Sequence, residues 1–152
     1  MRKARHTGSH LTAIRRVSPS APARHLHGAG LLRGRLLDYG CGHGRDADSY
    51  GMDRYDPHWH PDRPRGRYDT VTCTYVLNVL APGHIRYVLE DIQGLLAPWG
   101  TAYLAVRRDL GGCTKKGRGT LQRNVVLPLP VVRETGGYCI YAMRRGVKFP
   151  KA

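Results

Sequence analysis

Phenylalanine occurs once in these 152 residues, tryptophan twice and methionine three times, which leaves aromatic packing mainly to nine tyrosines. No apolar run approaches the roughly 18–20 residues of a membrane span, and the N-terminus carries no charged-then-apolar leader pattern. The four cysteines (Cys41, Cys73, Cys113, Cys139) contain no Cys-x-x-Cys pair. That spacing argues against a disulfide framework or a zinc site, and reduced thiols in a cytoplasmic protein are the expectation. Acidic residues are also scarce, 11 against 25 Lys and Arg, for a formal net charge of +14. What is plentiful is glycine, at 19 residues, with 10 prolines, so turns should be many. The length suits one domain with a modest core.

The charge is unevenly spread. Residues 1–35 hold eight Lys/Arg and no acid; residues 36–106 hold six basic and nine acidic; residues 107–152 hold eleven basic and two acidic. Cationic flanks around a mildly acidic centre point to nucleic acid or another polyanion as a partner. An arginine-rich composition with no such partner is the plainer explanation, and both stay open.

The chemistry concentrates in Leu36-Leu37-Asp38-Tyr39-Gly40-Cys41-Gly42-His43-Gly44-Arg45-Asp46. Two apolar residues lead into an acid, then three glycines alternate before a polar run. This predicts a buried strand, a tight glycine turn and a helix start, the place where an open α/β sheet binds a nucleotide-like ligand. The spacing narrows the ligand. A dinucleotide fingerprint needs its third glycine at position 45, which is arginine, and a phosphate loop needs Lys-Ser/Thr after its last glycine.

Along the chain, residues 1–20 form a basic arm and residues 21–152 a single domain. A short helix over 21–30 is capped by Ser20 and ends at Gly28 or Gly30. The helix after the glycine turn is cut short at Gly51. Met52 to Pro57 is a second strand, ending at Asp56, 18 residues after Asp38. That is close to the offset of about 20 at which an acid grips ribose hydroxyls; a surface acid capping a turn before Pro57 is the plainer reading. Residues 58–67 leave no room for a third strand and its helix. His58 and His60 lack partners for a metal site, and Trp59 could cover an adenine ring or simply pack. The β-branched run 70–76 predicts a central strand. A helix follows Pro82-Gly83, with Ile85, Val88, Leu89, Ile92, Leu95 and Leu96 on one face. Residues 101–106 form another strand. The Gly111–Gly119 loop is basic, glycine-rich and expected to move; Asn124–Leu127 and Tyr138–Met143 are expected to pair as a closing antiparallel hairpin.

In this order the elements resemble a class I, Rossmann-like methyltransferase dependent on S-adenosylmethionine. The resemblance rests on Leu37-Asp38-Tyr39-Gly40-Cys41-Gly42-x-Gly44, the acid-ended second strand, Tyr68-Asp69-Thr70-Val71-Thr72-Cys73 and the helix ending in Leu95-Leu96-x-Pro98. It covers about residues 31–145. Tyr55-Asp56-Pro57-His58, Thr74 to Val79 and the Thr12-Ala13-Ile14 arm are further similar to compact bacterial and phage methyltransferases associated with DNA phosphorothioation. The fold implied is an α/β sheet, mostly parallel, with a C-terminal antiparallel hairpin and a trimmed third-strand region. The resemblance implies a cofactor site of Asp38, Tyr39, Gly40, Cys41, Gly42, Gly44, Asp56, Pro57, Tyr75, Val76 and Leu77. It leaves Tyr75, Asn78 and Arg108 as candidates for acceptor contact. The Asp/Asn-Pro-Pro-aromatic motif of DNA amino-methyltransferases is absent, which argues against that chemistry.

The reading favoured is methyl transfer from S-adenosylmethionine to a nucleic-acid or other anionic acceptor. A catalytically silent module that binds the cofactor or nucleic acid is the alternative, and a nicotinamide-dependent oxidoreductase is disfavoured by Arg45.

Overall fold

The computed structural model describes residues 13–111, 115–117 and 120–150. The arm expected over residues 1–20 is therefore described from Ala13 onward, and Thr12 and Cys113 lie outside the described residues.

Helix α1 (Ala21–Gly28) starts where Ser20 places its hydroxyl to accept the Ala23 N–H at 3.3 Å. Strand β1 (Leu36–Tyr39) runs into the glycine turn, and α2 (Arg45–Tyr50) stops after six residues at left-handed Gly51. Strand β2 (Asp53–Tyr55) follows, then β3 (Tyr68–Thr74), a single 3-10 turn (Leu77–Val79) and α3 (Pro82–Leu95). Strand β4 (Leu96–Arg107) begins where α3 ends. A two-stranded ladder, β5 (Lys115–Gly117) with β6 (Thr120–Gln122), occupies part of the glycine-rich basic loop. Strands β7 (Val131–Glu134) and β8 (Tyr138–Arg144) close the chain.

The sheet order is β2-β1-β3-β4-β8-β7. β2, β1, β3 and β4 are mutually parallel, and β8 and β7 run antiparallel beside them. Since β3 pairs with the inner side of β1, β2 is left as an edge, with no strand beyond it among the described residues. The third-strand unit is thus missing where the short 58–67 segment predicted.

One expectation is overturned. The first strand of the closing hairpin is Val131–Glu134, not Asn124–Leu127. Val125 and Leu127 are instead buried against the core without joining the ladder. An alternating apolar pattern reports burial of every second side chain, and here burial is achieved by an irregular segment.

The main core lies on the α3 face of the sheet. Val88, Leu89, Ile92 and Leu95 of α3 pack over Leu37, Val71, Cys73, Leu104 and Tyr141. Each fully buried aliphatic side chain there contributes about 1.5–3 kcal/mol. A smaller cluster on the opposite face joins Leu26 of α1 to Ala105 and Ile140. Among the described residues no helix is long and apolar enough to cross a membrane.

Candidate functional site

The glycine turn lies at the carboxyl-terminal edge of β1, where parallel strands on both sides open a crevice. All three glycines take positive φ: 75° at Gly40, 55° at Gly42 and 87° at Gly44. The N–H groups of Gly40 and Cys41 both donate to the Tyr55 carbonyl, at 2.7 and 3.0 Å, and Gly44 N–H closes on the Cys41 carbonyl at 3.0 Å. The turn is thereby fixed to β2. The lack of side chains is required as well as permitted. A Cβ on Gly40 would fall 2.4 Å from Val76 Cγ2, and one on Gly44 would meet the Arg54 side chain at 3.0 Å.

Asp56 completes this frame from the end of β2. One carboxylate oxygen accepts the Gly42 N–H at 2.9 Å; the other accepts the N–H groups of His58 (2.9 Å) and Trp59 (3.0 Å). A carboxylate offers about four acceptor sites, so capacity remains for a ligand hydroxyl. Trp59, which follows Pro57 and His58, lies against His43 of the turn with ring centroids 4.3 Å apart.

Two further acids lie buried behind the turn. Asp38 accepts the Thr72 hydroxyl at 3.0 Å. Burial, with Asp46 and Asp56 nearby, pushes its pKa up to about 7 against the pull of the Thr72 bond. Asp46, at the start of α2, accepts both the Ser20 N–H (2.7 Å) and the Ser20 hydroxyl (2.6 Å). Neither Thr72 nor the Ser20–Asp46 pair was anticipated, because partners 34 and 26 residues apart leave no local pattern. Cys41 is partly buried, and burial together with Asp38 and Asp56 raises its thiol to about 12, so it carries no thiolate at neutral pH.

The arm reaches this site. Ala13 Cβ lies 3.3 Å from where a Cβ on Gly42 would be. Arg45 Nε donates to the Arg16 carbonyl at 2.9 Å, and the Arg16 guanidinium sits 5.9 Å above the Tyr75 ring. Tyr75 is the one non-glycine residue with positive φ among those described, at 60°. It leaves β3 with its N–H on the Ala105 carbonyl at 2.9 Å and passes the chain to Val76 over Gly40.

Several residues expected at the site are placed elsewhere. The Tyr39 side chain donates to Asp91 of α3 at 2.5 Å, so only its backbone belongs to the turn. Arg63 grips the same Asp91 with two bonds, at 2.9 and 2.8 Å, and lies 4.9 Å over Tyr55, tying the 56–67 loop to α3. Burial works against ionisation of Asp91, but the Arg63 and Tyr39 bonds outweigh it and hold its carboxyl below the usual range. Leu77 is fully buried in the core and has no surface with which to line a pocket.

Asn78 is equally buried. Its amide donates to the Arg123 carbonyl and accepts the Arg107 N–H, both at 2.8 Å, which makes it a strut between three segments and not an acceptor contact. Arg108 is likewise engaged, by Glu134 at 3.1 Å, the Val125 carbonyl at 2.8 Å and the Tyr141 hydroxyl at 2.6 Å. A groove of about 620 Å³ along the β2 edge, lined by Met52, Asp53, Arg54, Trp59, His60, Pro61 and Asp62, marks where a third strand would lie.

No family model matches the chain. No curated protein matches it either. Solved structures do. The chain superposes on the 1,6-didemethyltoxoflavin N1-methyltransferase of Burkholderia thailandensis, determined with 1,6-didemethyltoxoflavin and S-adenosylhomocysteine. The TM-score is 0.61 at 19% identity, over 82% of this chain and 77% of that one. A DhpI–SAH complex gives 0.59 at 16% identity, over 84% and 85%. The magnesium protoporphyrin IX methyltransferase ChlM of Synechocystis PCC 6803, with bound SAM, gives 0.50 at 14%, over 82% and 76%. The fold is that of the Rossmann-like methyltransferases.

Proposed function

We propose that this protein is a methyltransferase dependent on S-adenosylmethionine. The observation that carries the reading is the Asp56–Gly42 bond, which joins a side-chain-free turn at the end of β1 to an acid at the end of β2. The fold likeness to methyltransferases determined with S-adenosylhomocysteine or S-adenosylmethionine bound supports it.

The residues present fit that cofactor. S-adenosylmethionine supplies a methyl group already activated by positively charged sulfur. Gly40, Gly42 and Gly44 supply the left-handed backbone that shapes this end of the crevice, against which the methionine portion would lie. Asp46 and Asp56, joined by Asp38 when it ionises, place acidic groups near a ligand carrying fixed positive charge. Asp56 has acceptor capacity for one ribose hydroxyl, and Trp59 offers a ring face for the adenine. Alignment of the acceptor is then the chain's main task, since an activated methyl group needs little further chemistry from the protein. Tyr75, beside the turn, is the acceptor-side residue that remains from the sequence reading. The basic flanks support an anionic acceptor, nucleic acid among the options.

Calorimetry with S-adenosylhomocysteine tests this. Binding by the parent protein that is lost in Gly42→Asp is expected; no binding, or binding that survives the substitution, overturns it. Incorporation of labelled methyl groups from S-adenosylmethionine into cell extracts then separates an enzyme from a silent binding module.

A further inference from the structure

From Tyr75, which neighbours the glycine turn, toward β7, on the face of the sheet that carries α1, five segments bring tyrosines and arginines to one edge. Tyr75 follows β3, its N–H bonded to the Ala105 carbonyl of β4. Two residues on, and so on the same face as Ala105, Arg107 stands directly opposite Tyr138 of β8. Tyr138 packs on the cluster that holds Ala105 and Leu26. Arg133 of β7 donates Nε to the Tyr138 hydroxyl at 3.1 Å. The Arg16 guanidinium of the arm lies 5.9 Å over the Tyr75 ring.

The three arginines are not equivalent. Arg107 is neutralised by Asp109, at 2.7 and 2.9 Å, and is held by Gln122 at 2.6 Å. Arg16 and Arg133 have no carboxylate within ion-pair distance among the described residues. Yet both are positioned, Arg133 by the Tyr138 hydroxyl and Arg16 through its carbonyl on Arg45. Tyr75 is held in a left-handed conformation that costs a non-glycine residue free energy, a feature that concentrates at ligand sites. Guanidinium groups match the planar, two-pronged geometry of carboxylates and phosphates, and phenol rings supply flat apolar walls with a polar tip.

We propose that the methyl acceptor is a small planar organic anion, its ring against Tyr75 and Tyr138, its carboxylate or phosphate held by Arg133, and Arg16 closing the Tyr75 side. This rests on the methyltransferase reading for the site's use, but not for its binding. Two uncompensated guanidiniums, Arg16 at Tyr75 and Arg133 at Tyr138, are too few for a nucleic-acid track, which needs a succession of phosphate contacts.

The test is calorimetry on the full-length protein, with and without saturating S-adenosylhomocysteine, using benzoate, phenyl phosphate and neutral benzamide. At least one anion should bind, with benzamide at least tenfold weaker. Arg133→Gln should weaken the anion about tenfold, Arg133→Lys and Arg16→Gln less, while Arg133→Gln leaves S-adenosylhomocysteine affinity within about twofold. Equal binding of benzoate and benzamide, no binding of either anion, or indifference to both Gln substitutions overturns the proposal. So does tight, steeply salt-dependent binding of a single-stranded oligonucleotide that Arg133→Gln does not alter. Failure of the parent protein to bind S-adenosylhomocysteine counts against the methyltransferase reading alone, since the anion titrations also run without it.

Discussion

The Asp56 carboxylate accepts the Gly42 N–H at 2.9 Å, so the tip of the glycine turn hangs from the end of the neighbouring strand. The other oxygen of the same carboxylate orders the start of the 56–67 loop through His58 and Trp59. One side chain thus sets the turn and the loop against each other, on the two sides of the crevice at the end of β1.

Asp56→Asn keeps the shape of this residue but replaces one acceptor oxygen with a donor, leaving either the Gly42 N–H or the loop N–H groups unpaired. The loss is about 1–3 kcal/mol. Affinity for S-adenosylhomocysteine should fall at least tenfold, read by calorimetry, with a smaller drop in melting temperature. Unchanged affinity would remove Asp56 from the cofactor site.

Gly40 tests the turn's geometry. At φ 75° and with Val76 Cγ2 2.4 Å from any added Cβ, Gly40→Ala meets both backbone strain and a clash. Urea denaturation should show a loss of about 1–3 kcal/mol. Adding Val76→Ala relieves only the clash, so the double variant should recover part of the loss. Full recovery would mean that φ at this position is not strained.

The elements that local pattern governs were legible in the sequence. The α3 stripe, the capping Ser20, the early stop at Gly51 and the glycine turn all follow from residue type at short spacing. What was missed is carried by long-range pairs. Tyr39 and Asp91 are 52 residues apart, and nothing around either announces the other. Asn78 and Arg108 show the same gap differently. Their polar ends suggested contact with an acceptor, but whether a polar group meets ligand or backbone depends on which segments fold over it. The β7 boundary failed because Asn124–Leu127 has strand-like composition and buries its alternate residues, Val125 and Leu127, without pairing.

Asp38 predicts a pH dependence. In the unfolded chain an aspartate titrates near 4; buried beside Asp46 and Asp56 it titrates near 7. Between these values the folded protein holds a proton that the unfolded chain has lost, so this group's effect is to lower stability as pH rises through that window. Asp38→Asn removes the penalty. Its advantage over the parent in urea denaturation should grow by at most about 3 kcal/mol from pH 5 to pH 8. An equal difference at the two pH values would mean that Asp38 is ionised throughout. A cationic ligand on the turn favours the ionised form, so S-adenosylmethionine should bind more tightly as pH rises across the same range.

The arm's contacts predict a kinetic effect. Ala13 and Arg16 touch the turn and Tyr75, whereas Ile14 and Val17 are exposed and add little to the core. Ser20, which anchors the arm's base on Asp46 and caps α1, is the part on which folding depends. Deleting residues 1–16 leaves that anchor in place, so the melting temperature should change by only a few degrees. A cofactor seated on the turn would lose its outer cover, and S-adenosylhomocysteine should dissociate about tenfold faster in stopped-flow displacement. Ser20→Ala separates the two roles: it should lower stability by about 1–2 kcal/mol, through the lost cap and the weakened hold on Asp46. If the deletion instead destabilises the fold as much as Ser20→Ala while dissociation is unchanged, the arm is structural packing and not a cover for the site.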